Sequence, residues 1–220
     1  MEIIKTNNLN KIYGKEHTAV HAVNNVNISI REGEFVAIVG PSGGGKSSLL
    51  HLLGGLDSPS SGEVFIKGTN LYSMGHDERA IFRRRNIGFV FLFFNLIPVL
   101  NVKENIELPL NLDGQDINED EILMLCKNLG LENRLNHYPS QLSGGEQQRV
   151  SIGRALVYKP SIILADEPTG NLDKKNSEEV LNLLKLFSTK YGITVVMITH
   201  DLNMAARADR IIRMEDGKIE

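Results

Sequence analysis

Between the apolar run Phe35–Val39 and the helix-forming stretch KSSLLHLL lies GPSGGGKSS, Gly40 to Ser48, and no other segment of this 220-residue chain constrains its fold as strongly. The spacing fits G-x-x-x-x-G-K-[ST], and the flanks supply the required context of a strand before and a helix after. Glycines let consecutive backbone N–H groups turn inward without Cβ clashes. The new helix adds its positive N-terminal end, so the loop makes an anion cradle. The residue types thus predict that Gly40, Ser42, Gly43, Gly44, Gly45 and Ser48 surround the phosphates of a nucleotide. Lys46 is expected to reach the β and γ phosphates, and Ser47 to offer its hydroxyl to magnesium. A Gly-rich turn that merely caps a helix is the bland alternative. Chance matches to the pattern are on the order of 1% for such a length from average residue usage, and the strand and helix flanks cut that further.

Two more strand ends carry chemistry. The run SIILADEPTG puts Asp166 and Glu167 at the end of one apolar strand, and VVMITHD puts His200 at the end of another. In a parallel sheet these ends share the carboxyl edge with Gly40, where open α/β folds bind ligands. Asp166 suits the magnesium shell, and Glu167 suits polarising the water that attacks the γ-phosphate. His200 is placed to contact that phosphate or hold the water. Alone, an Asp-Glu pair reads as a strand-ending cap and a lone histidine as structural; convergence with the phosphate loop reverses this. No N-K-x-D guanine-reading motif appears, so ATP with Mg2+ is the expected cofactor pair.

In QLSGGEQQRVSIGRAL, Ser143 and Glu146 fit the S-x-x-E capping box, followed by an apolar stripe at Val150, Ile152 and Leu156. Capping does not call for Gly144 and Gly145, because glycine weakens a first helical turn. Paired glycines let something approach the backbone closely, and a helix N-terminus favours an anion.

Apolar runs at Phe35–Val39, Ile87–Phe91, Ile162–Ala165 and Val195–Thr199 alternate with helical patterns, which predicts a parallel α/β class. Polar alternation in Val26–Ile30 and Val64–Lys67 predicts an antiparallel layer near the N-terminus. From about Asn95 to Lys159 amphipathic helices dominate, as in Glu119–Leu129 and Glu146–Val157, which suggests a helical insert. Neither repeats nor low-complexity tracts interrupt the chain. The formal charge of -3 argues against a broad nucleic-acid footprint, although Arg83, Arg84 and Arg85 form a local basic cluster, which a solvated helix face explains just as well. The single Cys126 reads as a buried apolar residue, consistent with a reducing cytosol. MEIIKTNNLNKIYG has no apolar h-region, and the most apolar run is far below the roughly 20 residues a membrane span needs, so a membrane role calls for a partner chain.

Together these residues resemble the ATP-binding subunits of ABC transporters, over essentially the whole chain. GPSGGGKSS looks like the Walker A loop, LSGGEQQR (Leu142 to Arg149) like the family signature, and ILADEP like Walker B with its catalytic glutamate. GNLD, ending at Asp173, looks like the D-loop, and ITHD supplies the switch histidine, His200. By the same resemblance Tyr13 in NKIYG matches the aromatic that stacks on adenine; unaided, it reads as a strand-edge aromatic. The resemblance implies a P-loop NTPase core of mostly parallel sheet, an N-terminal antiparallel β layer and a helical subdomain. Residues 1–92 and 159–220 would form the nucleotide-binding core, and about 93–158 the helical subdomain within a single 1–220 domain. It further implies a head-to-tail homodimer in which each ATP lies between one phosphate loop and the other subunit's Ser143–Glu146. Closure on ATP and opening after hydrolysis would drive an integral membrane permease, from a peripheral place on the cytoplasmic face of the membrane. LLHLLGGLDSPSSGEV, FRRRNIGFVF and FNLIPVLNVKENIELPL look most like the branch of lipoprotein-releasing and macrolide-exporting ATPases.

One position departs from the family. Where the pattern has a glutamine that contacts magnesium and water and senses the membrane partner, GFVFLFFNLIP has Leu92, which has no donor or acceptor. ATP binding is expected to survive while turnover falls, leaving an ATP-gated clamp as the competing function. Soluble relatives in DNA repair or translation usually carry coiled-coil inserts or a second ATPase domain, and this sequence has neither. The stretch Phe93 to Pro98 reads equally as core and as a groove for a cytoplasmic helix of the membrane subunit.

Overall fold

Phe35–Val39 is buried along its whole length, and its side chains alternate between two apolar cores. Phe35, Ala37 and Val39 face one core, and Val36 and Ile38 face the other. A strand covered on both faces needs no polar alternation, which is why its sequence is continuously apolar. The computed structural model describes residues 1–220.

The first half of the chain contains β1 (Glu2–Tyr13), β2 (Val20–Val26), β3 (Ser29–Arg31), β4 (Phe35–Val39), α1 (Lys46–Leu53), β5 (Ser61–Ile66), β6 (Thr69–Asn70), α2 (His76–Asn86) and β7 (Ile87–Phe91). Three helices follow, α3 (Val102–Leu112), α4 (Glu119–Asn128) and α5 (Gly144–Leu156). The chain then returns through β8 (Ile162–Asp166), α6 (Lys174–Tyr191), β9 (Thr194–Ile198), α7 (Leu202–Ala205), β10 (Arg210–Glu215) and β11 (Lys218–Ile219).

Five parallel strands in the order β10-β4-β9-β8-β7 form the central sheet, with β11 antiparallel at one edge. The second sheet, β2-β1-β5-β6 with β3 also on β1, is antiparallel throughout. This is the expected α/β class with a mostly parallel sheet and an N-terminal antiparallel layer. One face of the central sheet packs on Leu49, Leu50, Leu52 and Leu53 of α1 and on the antiparallel layer through Ile4, Leu9 and Val64. The other face packs on Val150 and Ile152 of α5 and on Val180, Leu184 and Phe187 of α6. Helices α3 and α4 extend that core through Ile106, Ile122 and Cys126. Cys126 is free and buried, and burial pushes its thiol up to about 11.

Register sets the functional edge. Ile38 of β4 pairs with Ile198 of β9, Ile198 with Asp166 of β8, and Asp166 with Phe91 of β7. These strands end in step, so Gly40, Leu92, Glu167 and His200 follow from neighbouring strand ends.

Two local expectations are corrected, and one strand has no counterpart among them. Val26–Ile30 is not one strand: β2 stops at Val26 and β3 starts at Ser29, because the Thr6 hydroxyl inserts between them, accepting from Ile28 N and donating to Val26 O, both at 2.9 Å. The long β1 carries the antiparallel layer, although its Asn-rich sequence gave no strand signal. Arg83–Arg85 is not a free solvated face: Arg83 donates to Gly55 O at 2.9 Å, and Arg84 and Arg85 both close on Asp113.

Candidate functional site

The loop Gly40–Gly45 leaves β4 and enters α1 through two glycines that no other residue replaces without strain. Gly43 has φ +79°, and Gly45 has φ +92° with Ala22 O only 1.8 Å from where a Cβ would stand. Left-handed backbone and this close approach both require glycine. Lys46 opens α1 and is buried, and its Nζ donates to Gly40 O at 2.9 Å and Pro41 O at 2.7 Å. The ammonium is thus held over its own loop, at the positive end of α1.

The carboxyl edge brings the predicted side chains to this loop. Ser47 Oγ donates to Asp166 Oδ1 at 3.1 Å across 119 residues of sequence. Beside them, His200 Nδ1 lies 3.0 Å from Glu167 Oε2. Glu167 stands at φ +48°, a left-handed conformation that a non-glycine residue holds at a cost of about 1 kcal/mol or more. Its N–H donates to Ile198 O at 3.1 Å and its carbonyl accepts from Gly170 N at 3.1 Å, which over-determines that strained backbone. A serine hydroxyl and one carboxylate, next to an anion cradle, fit Mg2+, which takes few protein ligands and completes its shell with phosphate and water. No group of three or more His, Cys, Asp or Glu side chains gathers into an all-protein metal cage elsewhere.

Tyr13 ends β1, and its hydroxyl donates to Asp57 Oδ2 at 2.7 Å, while Lys11 Nζ sits 4.8 Å from the ring centroid. Burial and the Asp57 hydrogen bond raise the phenol. Burial alone would raise Asp57, but hydrogen bonds from Lys11 and Tyr13 outweigh it and hold the carboxyl low. The ring keeps a fixed orientation and remains 41% exposed, so a flat face is available.

Ser143, Gly144, Gly145, Glu146 and Asp173 stand apart from the loop, and none of their hydrogen bonds goes to Gly40–Ser48. Ser143 caps α5, with Ser143 N donating to Glu146 Oε2 at 2.8 Å. That backbone bond, reinforced by Arg134 at 2.8 Å, holds the Glu146 carboxyl down at about 2. Asp173 caps α6 through Asn176 N at 2.9 Å, which keeps its carboxyl low. Gly145 has an explanation inside the chain that sequence reasoning did not see. A Cβ on Gly145 would stand 2.0 Å from Asn176 Oδ1, so α6 is what approaches there, whereas Gly144 meets only Leu172 at 3.4 Å and Phe94 at 3.8 Å.

Residues 23–170 match the pattern of the ABC transporter family. The chain belongs to that family. The ABC transporter ATP-binding protein MJ1508 of Methanocaldococcus jannaschii is 50% identical over 219 residues, 99% of this chain and 97% of that protein. The lipoprotein-releasing system ATP-binding protein LolD of Psychrobacter arcticus is 44% identical over 221 residues, 99% and 98% of the two chains. Among solved structures, the ATP-binding cassette MJ0796 in a dimeric post-hydrolysis state bound to ADP and Pi superposes with a TM-score of 0.91 at 46% identity, covering 99% of this chain and 97% of that one. The chain is therefore an ABC ATPase, the ATP-binding subunit of a transporter. No helix is long and apolar enough to cross a membrane.

In this ABC cassette, Leu92 follows β7 with its side chain against Gly170. Its Cδ1 would stand 2.7 Å from a Cβ on Gly170, and its carbonyl accepts from Asn171 Nδ2 at 3.1 Å. Sequence reasoning missed Asp57, Lys11 and Arg134. Each acts by holding a named site residue, and nothing in its local pattern announces that.

Proposed function

We propose that two copies of this chain close on two ATP molecules, each held between Gly40–Ser48 of one copy and Ser143–Glu146 of the other, and that closure and hydrolysis drive an integral membrane permease. The observation that carries this reading is the gathering of Ser47, Asp166, Glu167 and His200 on the strand edge beside the glycine loop. The MJ0796 cassette, described as dimeric, supports the two-copy arrangement.

In this reading the loop N–H groups and Lys46 bind the β and γ phosphates, Lys46 exchanging Gly40 O and Pro41 O for phosphate oxygens. Ser47 and Asp166 hold Mg2+, which when bound neutralises charge on the β and γ oxygens. Tyr13 stacks on adenine, oriented by Asp57. Glu167 accepts a proton from water as the water oxygen bonds to the γ phosphorus. The bond from that phosphorus to its bridging oxygen breaks, giving ADP and phosphate. His200 orients Glu167 and contacts the γ-phosphate. Ser143, Gly144, Gly145 and Glu146 receive the partner copy's γ-phosphate at the start of α5, and Asp173 lies along the dimer seam.

The protein works in the cytoplasm, peripheral to the membrane through its permease, and no nucleic acid is expected. Exposed Phe93 and Ile97 support a permease contact at Phe93 to Pro98. Relatives such as LolD support a lipoprotein-releasing or macrolide-exporting branch. A second reading, an ATP-gated clamp with weak hydrolysis, is favoured by the apolar seat of Leu92 on Gly170. Light scattering with MgATP and phosphate release together test both. Dimerisation with turnover supports the motor, dimerisation without turnover supports the clamp, and a monomer at saturating ATP overturns both.

A further inference from the structure

Gln148 is fully buried, one turn into α5, and the nucleotide site described above makes no use of it. Its Nε2 donates to Pro168 O at 2.7 Å and to Phe91 O at 3.3 Å. Its Oε1 is buried without any partner. A fully buried amide with an orphaned acceptor costs about 1–3 kcal/mol, so stability alone does not recommend it here.

The two carbonyls it holds are informative. Phe91 O is the last carbonyl of β7, immediately before Leu92. Pro168 O is the carbonyl of the residue after Glu167, one peptide beyond the Glu167 N–H and carbonyl that Ile198 and Gly170 already fix. The proline ring fixes φ at Pro168, so the Gln148 bond to its carbonyl orients the Pro168–Thr169 peptide plane that follows. One amide therefore joins three parts: the helix that Ser143 caps, the end of β7, and the backbone of Pro168 next to Glu167.

We infer that Gln148 is a positioning residue for hydrolysis, transmitting the tilt of α5 to the Glu167 carboxylate. The inference rests on the reading of Glu167 as the residue that polarises water. When α5 engages a nucleotide at its N-terminus, its rotation pulls on Pro168 O through a 2.7 Å bond and sets where Glu167 points. A displacement near 1 Å at a catalytic group is enough to cost on the order of 100-fold in rate. Gln148 touches no reacting atom, so it does not alter affinity for ATP.

The test is Gln148→Met, of similar length and without a donor, assayed for steady-state hydrolysis and for ATP-driven dimerisation in the Glu167→Gln background. The expected result is a fall in kcat on the order of 10- to 100-fold with KM and dimer formation unchanged. Unchanged kcat overturns the inference, as does a kcat loss matched by equal losses of dimer and folded protein. Should the methionine variant not fold, Gln148→Ala, which leaves room for water at both carbonyls, is read by the same criteria. Glu167→Gln alone is the control: if it hydrolyses at the native rate, the reading of Glu167 fails and the inference falls with it. If it is inactive while Gln148→Met is native-like, only the inference fails.

Discussion

His200 Nδ1 lies 3.0 Å from Glu167 Oε2, joining the ends of two adjacent parallel strands. The contact restrains a carboxylate whose backbone is already fixed at φ +48° by Ile198 O and Gly170 N. Glu167→Gln keeps the size and most contacts but removes the base, so kcat is expected to fall by about 10²- to 10⁴-fold with nucleotide binding intact. His200→Ala frees the carboxylate and is expected to lower kcat in the same direction, with a smaller loss of ATP affinity from the missing γ-phosphate contact. Phosphate release and equilibrium nucleotide titration on the same preparations check both.

Lys46 donates two short bonds to the loop that it guards, at 2.9 Å to Gly40 O and 2.7 Å to Pro41 O. Replacing it with alanine removes the one cation at the helix N-terminus. Charge-assisted hydrogen bonds are worth about 1.5–3 kcal/mol, so Lys46→Ala is expected to weaken ATP binding by about 10- to 100-fold. Calorimetric titration measures this. Gly45→Ala is expected to fail earlier, in folding, because its Cβ would stand 1.8 Å from Ala22 O at φ +92°. Its melting temperature is the readout.

The contrast between these glycines and the long β1 shows what the sequence made legible. Strands β4, β7, β8 and β9 are continuous apolar runs because both faces are covered, and a run of that kind is visible in one dimension. The residues that end them, Gly40, Asp166 and His200, were legible for the same reason. β1 was hidden by Asn7, Asn8 and Asn10, which are exposed or half-buried and bond along β1 and across to β2 and β5, and which mask the buried Ile3, Ile4 and Leu9. The close approach at Gly145 was legible, but its neighbour was not, because Asn176 lies 31 residues on and nothing local points to it. Contacts such as Tyr13 with Asp57 depend on two elements meeting, so no single segment carries their signal.

Leu92, read from the sequence as standing where the family pattern has a glutamine, rests its side chain on Gly170. Leu92→Gln restores a donor and an acceptor beside the Glu167 edge while the carbonyl bond from Asn171 at 3.1 Å remains. The expected outcome is a rise of several-fold in steady-state hydrolysis with ATP affinity little changed, since one added hydrogen bond is worth about 0.5–1.5 kcal/mol. Equal rates for the two proteins would sink the idea that Leu92 restrains turnover.

Glu146 links the start of α5 to acid stability. Its carboxyl sits at about 2, against an ordinary 4.5, held first by Ser143 N and then by Arg134. A depressed folded-state value means that the stabilisation is fully present above about pH 4.5 and is lost as pH falls from there toward 2. With partial exposure taken into account, the contribution is on the order of 2 kcal/mol. Glu146→Gln keeps an oxygen that accepts from Ser143 N but cannot titrate. Denaturant midpoints should therefore fall for the native chain between pH 5 and pH 3 more steeply than for the variant, as the unfolded chain takes up the proton first. Parallel slopes in that window would instead assign the acid sensitivity to other carboxylates such as Asp57, Asp173 and Asp209, each of which is also held low.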